Sequence, residues 1–163
     1  STSTMLRDLS SSDTKRPTRE LLKLLRPLSE QYDVLILDTA PSISLVSENV
    51  FHAGDGLIIP FIPTTLSVRT HRQLLKFFEK SPAKDLKLFP FFSMVDRRQT
   101  MHTQLMEELP IEFPEILNSA VPYASVVERM GIERAPLAAY ATNSEPARAY
   151  EAVWAEISES LWG

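Results

Sequence analysis

The 163-residue chain has no cysteine and little glycine. Without cysteine, disulfides, thiolate metal sites and cysteine nucleophiles are all excluded. The 4 glycines stand against 12 prolines, which leaves few positions for a glycine-rich loop that cradles a phosphate. No apolar run approaches the length of a membrane span, and no charged-then-apolar signal segment opens the chain. We therefore expect a cytoplasmic protein without a transmembrane segment.

The remaining composition is typical of a globular domain. Apolar residues make up 44% and charged residues 23%, which is sufficient for a substantial core. We interpret the Ser/Thr-rich residues 1–16 as a flexible lead-in, and the length predicts a single α/β domain over residues 17–163. The net charge of −4 argues against electrostatic capture of nucleic acid by the whole domain, although a local basic patch is compatible with it.

Residues 33–42, DVLILDTAPS, are the most informative stretch. Their apolar run predicts a strand that is buried on both faces, as in parallel sheets. Asp38 then falls at the carboxyl end of that strand, where open α/β sheets bind their ligands. Either a magnesium ion compensates this carboxylate, directly or through water, or the carboxylate caps the next helix. Both interpretations stay open on these residues alone.

Helical and extended patterns alternate along the chain. The predicted helices cover residues 18–31, 45–53, 65–80, 100–109, 125–130 and 144–161. The predicted strands cover residues 33–38, 57–62, 86–94 and 116–121, with a last extended piece at 136–140. This alternation predicts a doubly wound, mostly parallel sheet with helices on both faces.

Several conspicuous side chains have simple structural interpretations. His52, His71 and His102 lack ligand spacing, which favours structural roles for them. In the helix at 65–80 we place His71 on the solvent face; the predicted packing face is Val68, Leu74, Leu75, Phe77 and Phe78. The pair Arg97 and Arg98 is typical of solvated loop charges.

Five segments follow one another in a recognisable order. They are YDVLILDTAPS, GLIIPFIPTTLSVR, FFSMVDRRQ, AVPYASVVERMGIERAPLAAY and NSEPARAYEAVWAEI. Each is a weak signal alone, but the ordered set, over about residues 18–160, resembles the ParA/MinD group of deviant P-loop ATPases. The resemblance implies a P-loop NTPase-like α/β fold.

The resemblance also implies roles for individual residues. Asp38 would be the Walker B carboxylate, which holds Mg²⁺ through water. The loop that senses the γ-phosphate would be Thr39, Ala40, Pro41 and Ser42, and the pocket for the nucleotide base would include Met94, Pro122 and Tyr123. Arg98 matches an arginine that contributes to non-specific DNA binding in ParA proteins. Tyr123 and Val126, however, stand where many relatives carry arginines, which counts against DNA binding.

One departure from the family is large. The glycine-rich Walker A loop, which precedes the DVLILDT strand in the family, is nowhere in this sequence. The chain therefore resembles the C-terminal portion of a longer protein, which would be an ATPase if it carries that loop. Because the loop cradles the phosphates, we expect the 163-residue chain alone neither to bind MgATP tightly nor to hydrolyse it, and to hold no catalytic residue of its own.

For the complete protein the resemblance implies ATP and Mg²⁺ as cofactors and an ATP-dependent homodimer. It also implies a ParB-like or other activating partner, and the partitioning or positioning of DNA or other cargo. The alternative is a nucleotide-free interaction or dimerisation module derived from the same fold. Both hypotheses predict an unpaired sheet edge beside the strand at 33–38.

Overall fold

The computed structural model describes residues 17–39, 50–80 and 86–163. These residues fall into two compact units, which are described separately. The described residues of the first unit are 17–39, 50–55 and 86, and those of the second are 56–80 and 87–163. The proposed lead-in at 1–16 lies outside the described residues, and the single domain over 17–163 stays a prediction.

The first unit contains helix α1, Pro17–Ser29, which confirms the predicted helix. Proline suits its first position, since the missing N–H would have no helical partner there. The helix ends where the amides of Gln31 and Tyr32 both donate to the Leu28 carbonyl, at 3.0 and 2.9 Å. Residues 50–53 are also helical; the earlier part of the helix predicted at 45–53 lies outside the described residues.

The predicted strand at 33–38 is wrong. This segment runs without regular secondary structure, and no described strand pairs with it. Val34 and Ile36 are 40% and 75% exposed, whereas Leu35 and Leu37 between them are half-buried. The apolar run is therefore shielded from solvent on one side only. A strand that is buried on both faces needs ladder partners beside it and packed elements above and below it.

The second unit is built on two parallel strands. Strand β1, Gly56–Phe61, pairs with strand β2, Lys87–Phe92, in a register that runs from Gly56 opposite Lys87 to Phe61 opposite Phe92. Helix α2, Thr65–Lys80, connects them. Parallel strands need such a crossover, and the sequence predicted all three elements in the right places.

Five further helices lie in the described part of the second unit. They are α3, Thr100–Glu112; α4, Ser125–Glu128; α5, Met130–Glu133; α6, Leu137–Tyr140; and α7, Glu145–Trp162. Helix α6 replaces the extended piece predicted at 136–140, since Leu-Ala-Ala-Tyr are residues that a helical turn accommodates well. Helix α7 begins as predicted, with the Ala147 amide donating to the Ser144 hydroxyl at 3.3 Å. None of the helices in the described ranges is long and apolar enough to cross a membrane.

The strand predicted at 116–121 is also wrong. Leu117 and Val121 do donate to the Pro90 and Phe92 carbonyls of β2, at 2.9 and 2.8 Å. Between them, however, the amides of Asn118 and Ser119 turn away from the sheet. Both donate to the Glu156 carboxylate of α7, at 2.9 and 2.7 Å, and this interrupts the ladder.

The core lies on both faces of the strand pair. Successive side chains of a strand point to opposite faces, so the aromatic residues of β2 divide between two clusters. One cluster, with α2 and α3, contains Phe61, Val68, Phe92, Val95, Leu109, Phe113 and Ile116. The other, with α7, contains Phe89, Phe91, Val121, Val153 and Ile157. Helices therefore cover both faces, as the sequence pattern predicts.

His71 corrects the predicted faces of α2. It is buried, with 3% of its surface exposed, and its ring stacks on Phe61 at a centroid distance of 5.6 Å. The imidazole also makes an edge-to-face contact with the Phe113 ring, with 5.1 Å between the two ring centroids. Because His71 lies three residues after buried Val68, it shares the same helical face, and helical spacing outweighs its polarity.

Candidate functional site

A cleft of about 330 Å³ opens in the second unit beyond the ends of β1 and β2. Because the strands are parallel, their carboxyl ends lie at the same edge of the sheet, which is where open α/β sheets bind ligands. Residues after β1 contribute Ile62 and Thr64, and residues after β2 contribute Met94 and Asp96. The volume is within the range of small-molecule sites.

The chain turns sharply after β2. Met94 has φ of 55°, a left-handed conformation that is uncommon for a residue with a side chain. On either side the backbone is fixed: the Ser93 amide donates to the Phe61 carbonyl at 2.9 Å, and the Val95 amide donates to Val121 at 3.0 Å. The turn places the 43% exposed Met94 side chain on the wall of the cleft.

The Asp96 carboxylate, which lines the cleft, is paired with Arg98 through three hydrogen bonds. Oδ1 of Asp96 accepts hydrogen bonds from the Arg98 backbone amide at 3.1 Å and from Nε at 2.9 Å, while Oδ2 accepts from Nη2 at 2.9 Å. The Arg98 side chain, and then its amide, hold the pKa of the Asp96 carboxyl well below its usual range. The carboxylate is thus fully ionised and its charge is matched by the arginine.

Two further side chains come from the first turn of α3 and from the segment after Val121. His102 is 4% exposed, and its Nδ1 accepts a hydrogen bond from the Asp96 amide at 3.1 Å. Tyr123 is half exposed on the cleft wall, with its hydroxyl 3.3 Å from Oε1 of Glu128. Gln99, which precedes α3, completes the lining.

The structure brings some of the predicted site residues together. Met94 and Tyr123 line one cleft, while Pro122 forms an isolated parallel bridge with Val95. Arg98 is 84% exposed in its side chain, yet paired with Asp96, rather than a free solvated charge. Sequence reasoning missed Thr64, Asp96, Gln99 and His102 as cleft residues. For Thr64 and Asp96 the available signal was their position just beyond the predicted strands; Gln99 and His102 carried no such signal.

The predicted metal site lies in the first unit. Asp38 is exposed and Thr39 is half-buried; Ala40, Pro41 and Ser42 lie outside the described residues. Within the described part of the chain, no group of three or more His, Asp or Glu side chains could hold a metal ion. Asp38 alone thus does not make a metal site. Proteins do, however, often bind Mg²⁺ through only one or two carboxylates when the phosphates of a bound substrate supply further ligands.

Comparison with known sequences identifies a family and several relatives. A family model described as an AAA domain matches residues 3–88. A virulence plasmid ParA family protein of Chlamydia psittaci is 27% identical over 140 residues, covering 85% of this chain and 54% of the relative. The chromosome partitioning protein ParA of Myxococcus xanthus is 32% identical over 91 residues, covering 52% of this chain and 31% of the relative.

A comparison with solved structures gives the same fold. The crystal structure of a plasmid partition protein from Borrelia burgdorferi superposes with a TM-score of 0.68 at 19% identity, covering 96% of this chain and 59% of that one. The chain therefore spans little more than half the length of several relatives that it matches. Since the family model matches more than half of its residues, the chain belongs to this AAA-domain family, and specifically to its ParA/MinD-like P-loop ATPases.

Proposed function

We propose that the chain is the C-terminal portion of a ParA/MinD-like ATPase, and that its cleft receives the base of ATP. The observation that carries this proposal is the meeting of Met94 and Tyr123. The two residues come from separate segments, the resemblance assigned both to the base pocket, and they line one cleft at the carboxyl ends of parallel strands. An apolar thioether and an aromatic ring are suitable walls for a flat base.

The role of the complete protein is partitioning or positioning DNA or other cargo. Support comes from the names of the relatives, which include a chromosome partitioning protein and a plasmid ParA family protein. The complete protein would form a homodimer when it binds ATP, and a ParB-like or other partner would stimulate hydrolysis. Binding to a surface would then depend on the nucleotide state.

The 163-residue chain alone neither binds MgATP tightly nor turns it over. A triphosphate carries most of its binding energy in its charged groups, and the sequence has no glycine-rich loop to receive them. Asp38 would supply one ligand to Mg²⁺ in the complete protein. Without the rest of the site, this one exposed carboxylate gives little affinity, and no catalytic step is assigned to the chain.

Two titrations of the 163-residue chain test this proposal. Adenosine, which needs no phosphate cradle, is expected to shift the NMR signals of Met94, Asp96 and Tyr123, and MgATP should bind no more than a few-fold better. Steady ATP turnover by this chain would contradict the proposal. So would adenosine binding that leaves the cleft signals in place.

The gene supplies a complementary test. If the reading frame upstream of Ser1 encodes a strand, a glycine-rich loop with two lysines and a helix, the longer protein should hydrolyse ATP. Asp38→Ala in that protein should abolish hydrolysis, because magnesium would lose its carboxylate ligand. A start signal directly before Ser1 would overturn the assignment as a portion of an ATPase.

A nucleotide-free interaction module is the second candidate. It is favoured by the segment at 33–38, where Ile36 is 75% exposed and no described strand pairs with the backbone. Such a segment can pair with another chain. Light scattering of the longest expressible protein distinguishes the two: the ATPase is expected to associate only with MgATP, and the module to associate equally without it.

A further inference from the structure

We propose that His102 is a positioning residue of the cleft. Its Nδ1 holds the backbone amide of Asp96, and in this way it fixes the turn that carries Met94 and Asp96. The ligand in this inference, a purine base, rests on the function proposed above. The positioning itself rests on a hydrogen bond that can be measured separately.

The hydrogen bond joins two residues that line the cleft, and it is partly buried. His102 lies in the first turn of α3 and is 4% exposed, and the distance from the Asp96 amide nitrogen to Nδ1 is 3.1 Å. An imidazole nitrogen that accepts a hydrogen bond carries no proton. The arrangement therefore requires Nδ1 to be unprotonated.

The turn needs this contact because of its unusual backbone. Met94 holds φ at 55°, a conformation that persists when the surrounding contacts determine it. Val95 and Gln99 donate to the carbonyls of Val121 and Asp96, each at 3.0 Å. The Asp96 amide lies between these two bonds, and His102 is the side chain that satisfies it.

The same contact connects α3 to the cleft. Gln99 occupies the N-cap position of α3 without a side-chain capping bond, so the first turn is not joined to the preceding loop in the usual way. His102 reaches back from this turn to Asp96 instead. Removing the acceptor would leave the partly buried Asp96 amide without its side-chain partner, and we expect the turn to relax as a result. The cleft would then lose its wall.

Three substitutions at one position separate positioning from packing. In His102→Asn the side-chain oxygen lies close to the place of Nδ1, so the hydrogen bond can be kept. In His102→Gln the oxygen reaches the place of Nε2 instead, and His102→Leu fills the space without any acceptor. A role in packing alone would make Leu the mildest change, whereas a positioning role would make Asn the mildest.

The experiment uses NMR on the 163-residue chain with adenosine as the probe. We expect His102→Asn to keep slow amide exchange at Asp96 and adenosine affinity within about threefold of wild type. His102→Gln and His102→Leu should raise the Asp96 exchange rate and weaken adenosine binding by about tenfold or more. In the wild-type chain, the nitrogen chemical shift of Nδ1 should be that of an unprotonated ring nitrogen.

Contrary results are equally specific. Wild-type exchange and affinity in His102→Leu, or a protonated Nδ1 in the wild type, would overturn the inference. If His102→Leu does not fold, the Asp96 exchange rates and adenosine affinities of His102→Asn and His102→Gln are compared instead. Equal values in these two variants would overturn the inference. If the wild-type chain binds no adenosine, the proposed cleft function fails, and the Asp96 exchange rates still decide whether His102 positions the turn.

Discussion

Nε2 of His71 lies 3.4 Å from Oε1 of Glu115, yet neither atom has a hydrogen-bond partner among the described residues. The imidazole is enclosed between the rings of Phe61 and Phe113. Burial lowers the pKa of His71, and the nearby Glu115 carboxylate only partly opposes this. The folded chain therefore resists protonation of His71 more than the unfolded chain does.

This difference predicts a pH-dependent stability. Below the ordinary value of 6.5, the unfolded chain takes up a proton at His71 that the folded chain still excludes. The free energy of unfolding is thus highest above pH 6.5 and falls as the pH decreases through the lower pKa of the folded state. Urea unfolding at a series of pH values from about 8 to about 5.5, the range in which histidine titrates, measures this fall.

Two variants identify the residue responsible. His71→Phe should flatten the pH dependence, because a neutral ring between Phe61 and Phe113 takes up no proton. His52→Gln is the matched control, since His52 is exposed, and it should keep the wild-type slope. An unchanged slope in His71→Phe would assign the effect to another group.

We expect Glu156 to contribute more to the free energy of unfolding than an exposed surface carboxylate does. Its burial would raise its pKa, but hydrogen bonds from Ser119 and Asn118 outweigh that effect and lower the pKa. Glu156→Ala leaves two backbone amides without their charged acceptor, which should cost about 1.5–3 kcal/mol. Glu159→Ala, at an exposed position of the same helix, should cost less than about 0.5 kcal/mol. Equal losses in chemical denaturation would disprove the special role of Glu156.

The sequence predicted the elements whose patterns are local. Helices α1, α2 and α7 and strands β1 and β2 follow from periodicity, caps and turn residues close to them in the chain. The two wrong strands fail for another reason. Whether 33–38 or 116–121 forms a strand depends on distant partners, and at 118–119 the decisive group is a carboxylate of α7.

Only part of the lining of the candidate cleft could be predicted from the sequence, and its role in binding a base stays a proposal. Met94 and Tyr123 were assigned by resemblance, and the structure places both on one cleft. His102 has no spacing signal, because its role depends on one hydrogen bond to the turn before α3. His71 was misplaced because its polarity suggested solvent, although its spacing from Val68 already indicated the core face.

Gly56 should tolerate no side chain. A Cβ added there would lie 2.6 Å from Cε2 of Phe89, whose ring is 3% exposed in the core and has little room to move. Gly56→Ala should therefore destabilise the chain by about 1–3 kcal/mol. Gly131→Ala is the control, because nothing lies within 4 Å of its added Cβ. Alanine is a better helix former than glycine, so this change should raise the free energy of unfolding by about 0.5–1 kcal/mol. Thermal unfolding of both variants checks the contrast, and a neutral Gly56→Ala would contradict it.

Arg98 gives a test of DNA binding. Both oxygens of Asp96 hold its guanidinium, so a DNA phosphate would have to compete with that carboxylate. If Arg98 is a DNA contact, Asp96→Asn should tighten binding and steepen the log–log salt dependence by about 0.9, the contribution of one additional phosphate contact. Adding Arg98→Gln to that variant should reverse both changes, whereas Arg97→Gln should not. Fluorescence anisotropy of a labelled duplex across a salt series measures the slopes. If Asp96→Asn leaves the slope unchanged, Arg98 does not contact DNA, and any binding by this family member must use another surface.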